Sequence, residues 1–159
     1  MNTIELSNVG PKVNTSEIEK FEVDFNISFP VEYKDFLLRN NGGCPKELMF
    51  TSDFIEINPS TSEIINQATD VERFFSLSEI IFEYEDIIDE NFIPSKYVPI
   101  ARTSFGNLIL VCISTDNKYG GIYFSNHDLF DSKNGCFTIS KINDSFVDFI
   151  QSLYVDEKK

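Results

Sequence analysis

Phe25-Asn26-Ile27-Ser28-Phe29-Pro30-Val31-Glu32-Tyr33-Lys34-Asp35-Phe36-Leu37-Leu38-Arg39-Asn40-Asn41-Gly42-Gly43 carries a start signal, an apolar stripe and a stop signal in one short run. Pro30 suits the first helical position, where its missing N–H costs nothing. Tyr33, Phe36 and Leu37 then fall on one helix face. Asn40-Asn41-Gly42-Gly43 ends the helix where a left-handed residue is needed. Just upstream, Ser16 with Glu19 reads as a capping box, in which each side chain satisfies a backbone N–H of the other residue. Ile18, Phe21 and Phe25 follow at i, i+3 and i+7. Two helices joined by Asn26-Ile27-Ser28-Phe29 predict a helical hairpin.

Downstream of the hairpin the periodicity shortens. Leu48-Met49-Phe50 and Phe54-Ile55-Glu56-Ile57 read as short strands. Pro59-Ser60-Thr61-Ser62 reads as a turn, and Arg73-Phe74-Phe75 as a further extended piece. Ser76 with Glu79 makes a second capping box. It opens a helix with apolar positions Leu77, Ile80, Ile81, Tyr84, Ile87 and Ile88, and an opposite stripe of Glu79, Glu83, Asp86 and Glu90. Val98-Pro99-Ile100-Ala101, Leu108 to Ser114, Ile122-Tyr123-Phe124 and Cys136-Phe137-Thr138-Ile139 read as strands. The turn chemistry between them favours antiparallel neighbours. Ile142, Phe146, Phe149, Ile150 and Leu153 mark a closing helix. The expectation is a single α+β domain over 1–159, with its core at about 16–153: a mainly antiparallel sheet, an N-terminal helical hairpin, one middle helix and a C-terminal helix.

The run from Phe25 to Gly43 resembles the N-terminal signature of the SUKH superfamily: apolar-Pro, two residues, Tyr, two residues, Phe-Leu, then Asn-Gly-Gly. Its motif residues here are Pro30, Tyr33, Phe36, Leu37, Asn41, Gly42 and Gly43, and their role is read as structural. Pro99-Ile100-Ala101 to Gly106-Asn107, Tyr119-Gly120-Gly121-Ile122-Tyr123-Phe124 with His127-Asp128, and the helix bearing Phe146 and Phe149 follow in the same order. The resemblance spans roughly residues 16–153. One departure is Ser125, where many relatives carry Trp after the Tyr-Phe pair; Ser125 to Asp128 is expected to be a loop. The superfamily includes fungal Smi/Knr-type cell-wall regulators and many bacterial immunity proteins. The resemblance implies a non-catalytic binding role, usually neutralisation of a partner toxin that is often a nuclease.

Charge points the same way. The 159-residue chain carries a net charge of −13, opposite to the basic footprint that nucleic acid or an anionic membrane requires. Twelve acids (Glu47, Asp53, Glu56, Glu63, Asp70, Glu72, Glu79, Glu83, Glu85, Asp86, Asp89, Glu90) and one base, Arg73, fall between positions 47 and 90. Almost all of the excess charge is therefore local. Like charges at i,i+4, as in Glu79–Glu83 and Asp86–Glu90, each cost a helix about 0.2–0.5 kcal/mol. A solvated face explains a charge run by itself. The clustering, together with the family resemblance, makes Glu79, Glu83, Glu85, Asp86, Asp89 and Glu90 the candidate contact for a toxin with a basic surface.

Chemistry is sparse. With His127 as the one histidine, no two-histidine metal motif exists. Cys136 and His127 are nine residues apart, but proximity in sequence does not activate a thiol; His127 is better read as a loop residue bonded to neighbours, and Cys112 as core. Gly42-Gly43 and Gly120-Gly121 match neither a dinucleotide nor a phosphate loop. An open acidic helix face lacks the buried carboxyl of a general acid. No catalytic residue, metal or cofactor is assigned. Three scattered cysteines, no signal-like start and no long apolar run predict reduced thiols in a cytoplasmic protein. The alternative readings are a regulatory scaffold, and a small-ligand domain with an aromatic pocket beside Tyr33 or Tyr123.

Overall fold

The computed structural model describes residues 4–51, 56–57, 60–61, 64–65 and 68–155. Along the chain come β1 (Leu6–Ser7), α1 (Thr15–Phe25), α2 (Val31–Arg39), β2 (Cys44–Pro45), β3 (Leu48–Thr51), β4 (Glu56–Ile57), β5 (Ile64–Ile65), β6 (Ala68–Asp70) and β7 (Arg73–Phe74). Then follow α3 (Leu77–Glu90), β8 (Tyr97–Arg102), β9 (Leu108–Cys112), β10 (Ile122–Asp131), β11 (Cys136–Asn143), α4 (Phe146–Ser152) and β12 (Tyr154–Val155). This is the expected α+β architecture, with every paired strand among the described residues antiparallel to its neighbour. Phe54, Ile55, Pro59 and Ser62 lie outside the described residues.

Both helices of the hairpin form, but with different caps. Asn14, not Ser16, caps α1: its side chain accepts the Glu17 N–H at 2.9 Å, and Ser16 lies inside the first turn. Asn14, Thr15 and Ser16 are all competent caps, so local preference leaves the start open. Starting at Asn14 puts the buried pair Val13 and Ile18 at the two ends of a hydrophobic staple. Pro30 is the N-cap of α2, one position before the expected one, and its carbonyl accepts from both Tyr33 and Lys34. Glu22 ties the hairpin together: it accepts the Phe29 N–H at 2.8 Å and pairs with Lys34 at 3.5 Å.

The main sheet has the order β11-β10-β9-β8-β7. Pro99 sits in the inner strand β8, where a missing N–H would break a ladder. The register shifts between Pro99 and Ala101, so the proline is absorbed at a bulge. Two expectations fail here. Ser125 to Asp128 is not a loop but part of β10, with Ser125 opposite Ile139 and Asn126 opposite Thr138. Ser125 and Asn126 are buried within the ladder, whose register breaks only after Asn126. Ile142 belongs to β11, because α4 starts only after Ser145, whose side chain caps it by accepting the Asp148 N–H at 3.1 Å.

A second sheet, β12-β3-β6, was only partly visible in the sequence. Two-residue β12 and three-residue β6 are too short for periodicity, and they exist because β3 offers both edges. The core joins the layers through aromatic contacts. The Phe146 ring of α4 lies 5.1 Å from Tyr33, 5.0 Å from Phe36 and 6.5 Å from Phe74, while Phe50 of β3 meets Phe149 at 5.6 Å.

Candidate partner-binding face

The Asn-Gly-Gly that ends α2 does more than stop a helix. Asn40 is extended, and the left-handed residues arrive later, at Gly42 (φ 74°) and Gly43 (φ 131°). Asn41 is buried; its amide donates to the Pro11 carbonyl at 2.8 Å and its oxygen accepts the Leu77 N–H at 2.8 Å. Gly43 and Phe74 exchange backbone hydrogen bonds of 2.9 and 2.8 Å. The motif thus pins the N-terminal segment, the edge of the main sheet and the start of α3 to one another. Pro30, Tyr33, Phe36 and Leu37, along α2, are all buried. Tyr33 and Tyr123 belong to the core, with exposures of 1% and 7%.

Position and cap of α3 follow from this junction. Leu77 N–H goes to Asn41, Glu79 N–H to Ser76 Oγ, and Ser76 N–H to the Glu79 carboxylate at 3.0 Å, so the expected capping box forms. Glu79 also holds Arg73 in a two-pronged ion pair at 2.7–3.0 Å, and Arg73 in turn reaches the Asn8 carbonyl at 3.2 Å. Burial pushes the Glu79 carboxyl upward. The hydrogen bonds from Arg73 and Ser76, and the Arg73 charge, outweigh that and hold it at about 2. A carboxyl with a depressed folded pKa stabilises the fold fully above its ordinary value of 4.5 and loses that contribution as pH falls toward about 2. Glu79→Gln is expected to lower stability by about 1 kcal/mol at neutral pH, the pair being partly screened. Urea unfolding at successive pH values should show the gap to wild type closing below roughly pH 4. A gap that stays constant into acid would refute this role.

The remaining carboxylates are arranged differently. Glu83 is half-buried, and burial, followed by repulsion from Asp86, Glu79 and Glu90, raises its pKa against the pull of Arg102. Glu85, Asp86, Asp89 and Glu90 are exposed and form no ion pair among the described residues. Arg102 is engaged by Glu72 at 3.1 Å. Of the two arginines near this helix, Arg73 serves its first turn and Arg102 is taken up by Glu72 outside it, so among the described residues the C-terminal half of α3 is left as open negative charge. Of the other acids in the segment, Asp53 and Glu63 lie outside the described residues, as does the Glu56 side chain.

Sequence periodicity missed the centre of this face. Ile80, Tyr84 and Ile87 point to the core, and at roughly 100° per residue the position opposite them is Phe82. Phe82 is 66% exposed, with Glu85, Asp86 and Asp89 three, four and seven residues on. The available signal was a phenylalanine out of phase with its own helix. Ile88, expected in the core, is 46% exposed at the flank.

His127 and Cys136 do not form a pair. The hairpin register sets Cys136 opposite Asp131, beyond a break in the ladder between Asn126 and Phe130 that holds His127. The His127 ring contacts Asp128 at 3.5 Å, and its backbone N–H donates to the Asn107 side-chain oxygen at 2.9 Å. Cys112 is fully buried, and all three thiols are free. Among the described residues there is no cluster of metal-ligating side chains, and no helix is long and apolar enough to cross a membrane.

Known proteins share sequence with almost the whole of this chain. The SPbeta prophage-derived uncharacterized protein YokK of Bacillus subtilis (strain 168) is 32% identical over 158 residues, covering 92% of this chain and 78% of that protein. The profile of the SMI1 / KNR4 family (SUKH-1) matches residues 12–152, from just before α1 to the end of α4. With the hairpin, the Asn-Gly-Gly junction and the antiparallel sheet in place across that whole span, the chain belongs to the SMI1/KNR4 family (SUKH-1).

Proposed function

We propose that this protein is an immunity protein that binds a cognate bacterial toxin and blocks it by occlusion, without turnover. The observation that carries the reading is the outer face of α3, where six carboxylates and no base occupy one helix and the C-terminal four form no ion pair among the described residues. Unpaired like charges cost the helix stability, and a basic partner surface would remove that cost. The family includes immunity proteins, which supports the same reading. Such an acidic face suits the substrate channel of a nuclease, and complementary fields would speed association at low salt.

Co-expression with the toxin domain of a neighbouring gene tests this directly. Survival and co-purification of a stable complex are the expected result. Within that complex, reversing charge at Glu83 and Asp86 together should weaken binding by roughly 10- to 100-fold and flatten its salt dependence. Unchanged affinity and salt slope would remove α3 from the interface, and failure to rescue against every neighbouring toxin would remove the function.

A further inference from the structure

An exposed aromatic cluster stands at the C-terminal end of the acidic helix. Phe92 follows the α3 cap, and Phe130 and Phe137 face each other across the β10–β11 hairpin. Their ring centroids are 5.9 Å (Phe92–Phe130), 5.4 Å (Phe92–Phe137) and 6.2 Å (Phe130–Phe137) apart. The Phe137 N–H donates to the Phe92 carbonyl at 2.8 Å, which fixes the cluster to the end of the helix. Phe92 and Phe130 remain 41% and 52% exposed. The two rings meet edge to face, at 88°.

Isolated exposed apolar residues need no explanation, but a grouped set marks an interaction surface. Charge identifies what fits it. Asp86, Asp89 and Glu90 occupy the last part of α3, whose final turn contains no base. Carboxylates at a helix C-terminus add to the negative end of the backbone dipole and so destabilise the free helix. A cation supplied from outside would meet carboxylates, helix end and aromatic rings together. Guanidinium suits that combination better than ammonium, because it stacks flat on a ring while its N–H groups bond a carboxylate. A groove of about 520 Å³ adjoins the cluster, lined by Asn91, Tyr97, Asp131 and Phe137 among others. In it the chain already places one cation of its own against a ring, Lys96 Nζ lying 5.4 Å from the Tyr97 centroid.

We infer that Phe92 and Phe130, with Asp89 and Glu90, form a docking site for an arginine-bearing segment of a partner protein. The site rests on the toxin-binding reading only in taking the partner to have a basic surface. Phe82 extends the same apolar and acidic character along α3, and the cluster supplies the anchor.

The test uses the full chain, isotope-labelled, titrated with a capped peptide carrying two arginines and one leucine. Its control is the same peptide with citrulline, which keeps the planar group and lacks the charge. Saturable shifts confined to Asp89–Phe92 and the Phe92 and Phe130 ring protons are expected, and the citrulline peptide should lose them. Phe92→Leu with Phe130→Leu keeps apolar bulk but removes the rings, and should weaken the arginine peptide by roughly tenfold. Asp89→Asn with Glu90→Gln should do the same. No saturable shift, shifts spread over distant acids such as Asp24 and Asp148, or unchanged affinity in the leucine variant would overturn the site. Peptide binding here, with neutralisation failing against every toxin, would discard the immunity reading and keep the arginine site.

Discussion

Replacing Gly42 by alanine is expected to cost this protein about 4 kcal/mol or more of stability, enough to leave much of it unfolded. Two costs combine at that position. Gly42 has φ 74°, a region that L-residues occupy only with strain. A Cβ there would also lie 2.5 Å from Ser76 N, 2.6 Å from Phe75 C and 2.7 Å from Phe74 O. All three are backbone atoms, so no side chain can rotate out of the way. Relief would require moving the edge of the main sheet or the start of α3, and either motion breaks the Asn41–Leu77 and Gly43–Phe74 hydrogen bonds. Gly135 separates the two costs. Its φ is 69°, but a Cβ would find nothing within 4 Å, so Gly135→Ala should lose only about 1 kcal/mol from backbone strain. Urea unfolding of both variants checks the pair. Equal losses would show that the close approach at Gly42 contributes nothing.

Phe146→Ala carries the second large effect. The side chain is buried to 1% exposure and touches Tyr33, Phe36 and Phe74, so one ring holds α4 against α2 and the edge of the main sheet. Truncation removes that apolar burial and leaves a cavity between elements that cannot close without shifting one of them, at a cost of roughly 3–5 kcal/mol. The consequence should spread in a defined direction. Strand β12 follows α4 directly and adds to β3 through Tyr154–Met49 and Val155–Leu48. Hydrogen exchange in β3 and β12 should therefore accelerate more than exchange in β9, which lies deep in the main sheet. Uniform acceleration would mean that α4 and the second sheet do not loosen separately.

Much of this architecture was legible in residue order. Ser76 and Glu79 specify the start of α3 because a capping box is a local device, complete within four positions. Tyr33, Phe36 and Leu37 announce the buried side of α2 for the same reason. Legibility failed where the deciding partner was remote. Ser125 and Asn126 carry turn-type side chains, yet neighbouring strands on both sides draw Ser125 into β10. Asn14 prevails over Ser16 as the cap once Val13 and Ile18 have a core to enter. Strands β6 and β12 have no pattern of their own and form on the edges that β3 presents.

The candidate face divides along the same line. Sequence alone determined that the excess negative charge is concentrated in 47–90 and that α3 carries a polar side, since charge and helical period are properties of residue order. It also determined the family motif from Pro30 to Gly43. Only the tertiary structure decided which carboxylates are free. Arg73 comes from a different element and engages Glu79, while Glu85, Asp86, Asp89 and Glu90 form no ion pair among the described residues. Only the tertiary structure, too, brought Phe130 and Phe137 beside Phe92, because that contact depends on a hairpin nearly forty positions later in the chain. Local chemistry is written in neighbouring residues, whereas exposure and pairing depend on which distant groups the fold brings alongside.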